Sequence, residues 1–234
     1  MSAGLEPPPG SDAPEPTSLA EQAYAQVKRM IFDFAMLPGD RFSESELALR
    51  VQVSRTPLRQ ALQRLAREGF LQVFPKLGWQ VAPLDFDIFG ELYDLRVLLE
   101  CDAAQRLALA EDRPQLRALA EVWLVPAAER LTDGATVGEL DERFHAELVQ
   151  GSGNREMARV HQEITERIRI IRRLDFTQPA RIAATYDEHA RIVRALTRRR
   201  ADEAQRLLRA HIEQSKLEVR HSTLDMLYRM RRRA

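Results

Sequence analysis

Four side chains in the second half of the sequence have the types and spacing of a metal site. Asp141 and His145 stand four residues apart in "DERFHAEL", so a helix would place them on one face with Cβ atoms ~5–6 Å apart. His189 and His211 each lie eleven residues from position 200, in the segment "RRRAD" where the helix should break. In an antiparallel helix pair joined there, the two histidines stand at the same level. Together the four could hold a divalent transition metal (Zn, Ni or Mn) through nitrogen and oxygen ligands.

A second group of side chains suits a polyanion. Residues 50–82 carry six Lys or Arg side chains against one acid, Glu68, a net charge of plus five in a chain whose formal net charge is zero. Arg55 and Arg59 stand four residues apart at the expected start of a helix, where free backbone N–H groups also favour phosphate. The segment therefore predicts a surface for phosphates and guanines, with a merely solvated helix face as the alternative.

The helices that would position these arginines are indicated by their caps. Capping boxes are predicted at the start of two helices, Ser18 with Glu21 and Ser43 with Glu46. A third helix should follow a cap at Ser54 or Thr56, hold Pro57 in its first turn and end at Gly69. Three short helices are therefore expected before residue 70.

Two strands are predicted directly after these helices. "FLQVF" and "WQVA" have strand composition and enclose "PKLG", in which Gly78 is the turn glycine. Three helices followed by a hairpin predict a winged helix-turn-helix over residues 18–84. In that geometry the third helix enters the DNA major groove by its N-terminal end, where Arg55 and Arg59 stand.

Beyond residue 84 the sequence pattern is helical. Apolar residues recur with helical spacing in segments separated by "EDRP", "TDGATVG", "GSGN", "FTQP" and "TRRRAD". The pattern contains no strand, no glycine-rich phosphate loop and no nucleophile elbow. Residues 85–234 therefore predict a bundle of six or seven helices, and the whole chain a mainly α fold.

Composition excludes several other classes of protein. Of the 234 residues 44% are hydrophobic, enough for packed cores, yet no apolar run reaches the ~18 residues of a membrane helix. The single cysteine, Cys101, excludes an internal disulfide framework, suits the cytoplasm and is expected in the core. Residues 1–17, rich in proline, predict a disordered arm and lack the pattern of a signal peptide.

Residues 18–84 also resemble the DNA-binding domain of the GntR family of bacterial transcription regulators. The similarity is carried by "VSRTPLRQAL", the upstream "PGD" and the wing glycine. It implies that Arg55 and Arg59 reach base edges or neighbouring phosphates and that Thr56 supports them. It also implies that Gly78 lets the wing approach the minor groove.

Ser54 and Lys76 complete the candidate DNA-binding set. Two positions depart from the family pattern. Ser45 stands where an arginine is common, which removes one expected DNA contact, and Gln52 stands where a glycine is usual, which predicts a strained turn.

The helical part resembles the FCD effector domain of the FadR subfamily of these regulators, over about residues 87–218. "LYDLRVLLE", "DERFHAELVQGSGN", "DEHARIVRAL" and "ADEAQRLLRAHI" carry the similarity. It implies that the four side chains named first occupy the ligand positions of the metal-binding branch. His161 and His221 match no ligand position and are expected at the surface. Arg96 falls on an arginine that faces the effector cavity in such domains, and a salt bridge with Glu100 is the alternative.

These features predict a homodimeric repressor of transcription that binds a palindromic operator in double-stranded DNA and responds to a small carboxylate through its helical domain. A metal-dependent enzyme acting on small organic acids is one alternative, because three histidines and an aspartate can also hold a catalytic ion. No general base or nucleophile motif accompanies those ligands, and an enzyme gives the DNA-binding domain no role. The other alternative is an architectural DNA-binding protein that senses nothing.

Overall fold

The computed structural model describes residues 18–173, 176 and 178–231, so the expected disordered arm at residues 1–17 lies outside the described residues. The chain divides between Pro83 and Leu84 into two compact units. Helices dominate both units, and the mainly α fold class is confirmed. Among the described residues, no helix is long and apolar enough to span a membrane.

From residue 18 onward, the first unit contains three helices, α1 (Leu19–Phe32), α2 (Glu44–Val51) and α3 (Arg55–Arg67). The capping box of Ser43 and Glu46 forms at α2 as predicted. At α1 only half of the expected box forms, because Ser18 accepts from the Glu21 backbone N–H while the Glu21 carboxylate binds Arg64 on α3. The apolar faces of the three helices form the core of this unit, with Val27, Leu58, Leu62 and Leu65 fully buried.

The described part of the first unit also has three strands, β1 (Arg41–Phe42), β2 (Leu71–Phe74) and β3 (Gly78–Val81), in the antiparallel order β1-β3-β2. The β2–β3 hairpin is the predicted wing, whereas β1 was not predicted because two residues show no periodicity. Gln52, between α2 and α3, adopts the left-handed conformation with φ 57° and ψ 41°, which is strained for a residue other than glycine, as the sequence predicted for this turn. The unit is a winged helix-turn-helix.

Gly78 is the position where this sheet tolerates no side chain. Its φ is +96°, and a Cβ would lie 2.6 Å from the backbone carbonyl oxygen of Phe42 on β1. We expect Gly78→Ala to lower the free energy of unfolding of this unit by about 2–4 kcal/mol, from the left-handed backbone and the clash together. This loss of stability can be measured by urea denaturation monitored by circular dichroism.

Gly69→Ala is the matched control in the same unit. Gly69 also has a positive φ, +85°, but no atom lies within 4 Å of the position its Cβ would take. Gly69→Ala should therefore lower the free energy of unfolding only through the strained backbone, by about 1 kcal/mol. Equal losses for the two variants would show that contact with β1 does not matter at Gly78.

The second unit contains six α-helices within the described residues: α4 (Phe86–Leu109), α5 (Pro114–Trp123), α6 (Gly134–Gln150), α7 (Arg155–Arg172), α8 (Pro179–Thr197) and α9 (Ala201–Arg231). α4 packs along α9 and against α6 and α7, while α8 packs on α9 and α5. The predicted break at "TDGATVG" is wrong in part, because α6 begins inside it. Asp133 accepts from the backbone N–H of Thr136 at 2.8 Å and caps the helix there.

Candidate metal centre and nucleic-acid interface

Four buried side chains from three helices converge inside the second unit. α6 supplies Asp141 and His145, α8 supplies His189 and α9 supplies His211, and their ligand atoms all lie within 4.8 Å of one another. His211 Nε2 lies 3.2 Å from His189 Nε2 and 3.3 Å from His145 Nε2. Asp141 Oδ1 lies 3.4 Å from His189 Nε2 and 3.7 Å from His145 Nε2. Two ligands ~2.1 Å from one ion lie ~3.0–3.4 Å apart at cis or tetrahedral angles, so the three shorter separations suit a coordination shell.

Two of the imidazoles are oriented by carboxylates behind them. His145 Nδ1 lies 2.5 Å from Glu100 Oε2, and His211 Nδ1 lies 2.6 Å from Glu188 Oε2. Burial raises the pKa of Glu100, but Arg96 and His145 outweigh it and hold that pKa well below its usual value. Because an ionised carboxylate only accepts, each Nδ1 donates and each Nε2 lone pair turns toward the centre. Converging lone pairs of this kind fit a cation.

The carboxylate of Asp141 is paired with a guanidinium on the side away from the imidazoles. Arg172, buried at the end of α7, donates from Nη2 to Asp141 Oδ2, which leaves Oδ1 facing the imidazoles. Burial alone raises the pKa of Asp141, but Arg172 and the neighbouring imidazoles hold it well below its usual value. The carboxylate is therefore ionised and able to bind a metal. Arg172 lies 31 residues from Asp141, too far for any local sequence signal.

His189 is positioned by aromatic rings. Its ring stacks on Phe144 at 3.7 Å and meets the Trp123 ring edge-on at 4.2 Å. Its Nδ1 has no hydrogen-bond partner within the described part of the chain. Burial and the neighbouring His211 hold the pKa of His189 well below its usual value. The imidazole is therefore neutral, as a metal ligand must be.

The expectation for His161 was wrong, whereas His221 lies at the surface as predicted. His161 is 1% exposed on α7, and its Nε2 lies 3.0 Å from Glu100 Oε1. The same carboxylate orients His145, so His161 belongs to the surroundings of the cluster. Its burial follows from the packing of α7 on α4, which no ligand pattern reports. Cys101 is buried, as expected.

Arg96 lies beside the cluster, fully buried on α4. Its Nε donates to Glu100 Oε1 at 2.8 Å, so the salt bridge considered from the sequence is present. Its Nη2 has no hydrogen-bond partner among the described residues, although a buried guanidinium N–H normally has one. The pair with Glu100 therefore leaves part of this cation available to a further anion.

Arg55 and Arg59, which were expected to contact DNA, lie on the exposed face at the start of α3. The side chains of Arg55 and Arg59 are 64% and 55% exposed. Arg59 binds Glu44, the first residue of α2, through Nε at 3.0 Å and Nη2 at 2.7 Å. The Arg59 hydrogen bonds lower the pKa of Glu44 against the opposing effect of its burial. Glu44 was not predicted as a site residue, because its partner Arg59 lies 15 residues away along the chain.

The other candidates take different places in the first unit. Ser54 is the N-cap residue of α3, without a side-chain cap hydrogen bond, and Thr56 is exposed on the helix. Lys76 lies in the wing turn, whereas Gly78, expected in that turn, is the first residue of β3 and pairs with Phe74 at the end of β2. Arg64 has a structural role, because it binds Glu21 and Glu68 and its guanidinium lies 3.7 Å from the centre of the Tyr24 ring.

A winged helix-turn-helix unit followed by a helical unit with a buried ligand cluster is the organisation of a transcription regulator that carries its own sensor domain. Comparison with known families agrees: residues 19–81 match "Bacterial regulatory proteins, gntR family" and residues 91–214 match "FCD domain". The chain belongs to the GntR family of DNA-binding transcription regulators and carries an FCD domain.

Named relatives belong to the same class. The Nta operon transcriptional regulator of Aminobacter aminovorans is 37% identical over 79% of this chain and 86% of its own length. The transcriptional repressor RspR of Escherichia coli is 26% identical over 86% of this chain and 88% of its own. The structure of Lar, which controls the agr system of Listeria monocytogenes, shares the fold with a TM-score of 0.65 at 18% identity, over 87% of this chain and 97% of that one. These families and relatives are regulators, so the chain is not an enzyme.

Proposed function

We propose that this protein is a cytoplasmic, homodimeric repressor that releases a palindromic operator when a small carboxylate binds a metal ion in its FCD domain. The observation that carries the proposal is the buried convergence of Asp141, His145, His189 and His211. In an architectural DNA-binding protein, four buried side chains that converge as potential metal ligands would have no function. The transcriptional repressor RspR, a relative over most of the chain, supports the sign of regulation.

The charges around the cluster favour an anion as the sensed ligand. Three carboxylates around the cluster each bind a guanidinium: Asp141 binds Arg172, Glu100 binds Arg96 and Glu188 binds Arg181. Glu218, a further carboxylate at the edge, also binds Arg181. A divalent ion among neutral imidazoles would add two positive charges to this nearly balanced set. Since uncompensated buried charge is costly, an anionic ligand on the metal is favoured.

Two buried donors support a carboxylate in particular. Arg96 Nη2 and the Thr165 hydroxyl both have no hydrogen-bond partner within the described residues. Thr165 lies one helical turn after His161 on α7, and His161 and Arg96 meet at the same Glu100 oxygen. A ligand could place one carboxylate oxygen on the metal and a second polar group near Arg96. That second group would accept hydrogen bonds from both Arg96 and Thr165. Such a ligand would also connect α4, the helix that follows the wing, to the metal-bearing helices.

Homodimer formation is supported by apolar side chains on two helices that pack on each other. Leu95 and Leu98 on α4 are 46% and 64% exposed, and Leu217 and Leu224 on α9 are 65% and 48% exposed. Exposed leucines grouped on neighbouring helices mark an association surface more often than isolated ones do. A two-fold dimer would present two α3 helices to the two halves of a palindrome.

Substitution of Arg96 tests the sensing role. Arg96→Ala would leave Glu100 unpaired, so Arg96→Lys is the sharper variant: it keeps the positive charge and loses the planar fork. We expect metal-loaded Arg96→Lys to bind succinate or citrate at least tenfold more weakly than wild type, because a hydrogen bond between charged groups contributes ~1.5–3 kcal/mol. Calorimetric titration measures this affinity. Fluorescence anisotropy of a bound DNA duplex, with and without citrate, measures the response.

Metal content and DNA affinity without citrate are the controls, and both should match wild type. If wild type binds neither succinate, citrate nor acetate, the sensing proposal is wrong. If Arg96→Lys keeps wild-type affinity for all three, Arg96 serves only to pair with Glu100 and the ligand is bound elsewhere.

A further inference from the structure

One acidic side chain, Glu44, lies beside Arg55 and Arg59, the two arginines expected to contact DNA. Glu44 begins α2, and its side chain is 15% exposed. Its Oε1 accepts from Arg59 Nε at 3.0 Å and its Oε2 from Arg59 Nη2 at 2.7 Å, so the guanidinium is held by two parallel hydrogen bonds. Paired hydrogen bonds of this kind fix orientation as well as distance.

The same carboxylate is anchored to the wing. Trp79 on β3, 6% exposed, donates from its indole Nε1 to Glu44 Oε1 at 3.3 Å. Arg55 Nη2 lies 3.8 Å from Glu44 Oε2 on the other side. Glu44 therefore connects α2, the start of α3 and the wing, which are the three elements that a winged helix-turn-helix brings to DNA.

This contact leaves the end of Arg59 free for DNA. A guanidinium has five N–H donors, and Glu44 occupies the edge made by Nε and one N–H of Nη2. The remaining donors, on Nη1 and the outer side of Nη2, form the edge that can bind guanine O6 and N7 together. The Arg59 side chain is 55% exposed although it binds Glu44 through two hydrogen bonds, so Glu44 restricts its orientation without burying it.

We propose that Glu44 is a positioning residue for Arg59 that sets DNA sequence specificity. It has two effects of opposite sign. It orients Arg59 for guanine, which favours the correct sequence. It also places a negative charge near the phosphates, which weakens binding to every sequence. The inference rests on the proposed role of Arg59 as a base contact.

The test uses the full chain and duplexes selected from a random-sequence library by the wild-type protein. Glu44→Gln keeps the size of the side chain and loses its charge. We expect it to bind a shuffled duplex of the same composition about two- to tenfold more tightly than wild type. Its preference for the selected duplex over the shuffled one should fall about tenfold, since the arginine–guanine contact becomes poorly oriented. Fluorescence anisotropy gives both affinities.

Glu46→Gln is the matched control, because Glu46 lies two positions further along the first turn of the same helix and its carboxylate binds Ser43 rather than an arginine. Glu46→Gln should bind the shuffled duplex more tightly by a similar factor. Its preference for the selected duplex over the shuffled one should stay at the wild-type value. Trp79→Phe, which removes the indole N–H and part of the ring while keeping an aromatic side chain, should lower the preference while leaving shuffled binding unchanged.

Three results separate the possibilities. A loss of preference in Glu44→Gln and Trp79→Phe, with none in Glu46→Gln, supports the positioning role. Equal tightening of both duplexes by Glu44→Gln overturns it and leaves Glu44 as a negative charge alone. If wild type selects no consensus sequence, the proposed operator function is wrong, and the positioning role with it.

Discussion

His189→Ala should leave the protein with little or no bound metal after reconstitution with Zn²⁺, Ni²⁺ or Mn²⁺, whereas wild type should hold about one ion per chain. His189 is fully buried, and its Nε2 lies within 3.4 Å of both Asp141 Oδ1 and His211 Nε2. Removing it takes away the ligand from α8 and leaves two ligands from α6 and one from α9. Elemental analysis of the purified protein measures the ion.

Metal binding should also stabilise wild type, because the ion joins three helices and has no such site in the unfolded chain. At a free metal concentration 100 times the dissociation constant, the stabilisation is ~2.7 kcal/mol, or roughly 5–10 °C in melting temperature. Since His189→Ala also leaves a cavity beside Phe144 and Trp123, its absolute melting temperature is not informative. The informative quantity is the difference with and without metal, which should vanish in the variant.

His221→Ala is the control, because His221 is exposed on α9. His161→Ala is not neutral, since His161 shares Glu100 with His145. Full metal content in His189→Ala, or a wild-type protein that takes up none of the three ions, would contradict the proposed metal centre.

Arg59→Ala should remove sequence-specific binding while the protein stays folded. A bidentate arginine–guanine contact provides ~1–3 kcal/mol of discrimination per half-site, which a symmetric dimer meets twice. The side chain is 55% exposed, so its removal leaves no cavity in the core. Anisotropy titrations at two salt concentrations, against a duplex selected by wild type and a shuffled one, measure the loss.

The control for Arg59 is another arginine of the same helix. Arg67 is exposed in the last turn of α3, about 12 Å along the axis from Arg59. Arg67→Ala should leave sequence preference intact and at most weaken binding to all duplexes. Arg64 is unsuitable, because its contacts with Glu21, Glu68 and Tyr24 hold α3 to α1. Equal loss of preference in Arg59→Ala and Arg67→Ala would contradict the assigned role.

Features that depend on neighbouring residues could be predicted from the sequence. Three such features involve residues at most four apart. They are the capping box at Ser43, the strained turn at Gln52 and the helical face shared by Asp141 and His145. Helical periodicity together with the hairpin around Gly78 predicted the winged unit. Helical periodicity alone predicted the helical unit that follows. His189 and His211 needed one more step, an antiparallel pair of helices around position 200, and their Nε2 atoms do lie 3.2 Å apart.

The surroundings of both sites were decided by tertiary structure alone. Glu100 is 45 residues from His145 and 61 from His161, and Trp79 is 35 residues from Glu44. Such pairs leave no periodic signal, because they meet only where helices and the wing pack together. For the same reason His161 was wrongly expected at the surface and β1 was missed. Sequence spacing determined which side chains could act as ligands or base contacts. Packing decided which carboxylates and guanidiniums orient them, because those contacts join residues that are distant along the chain.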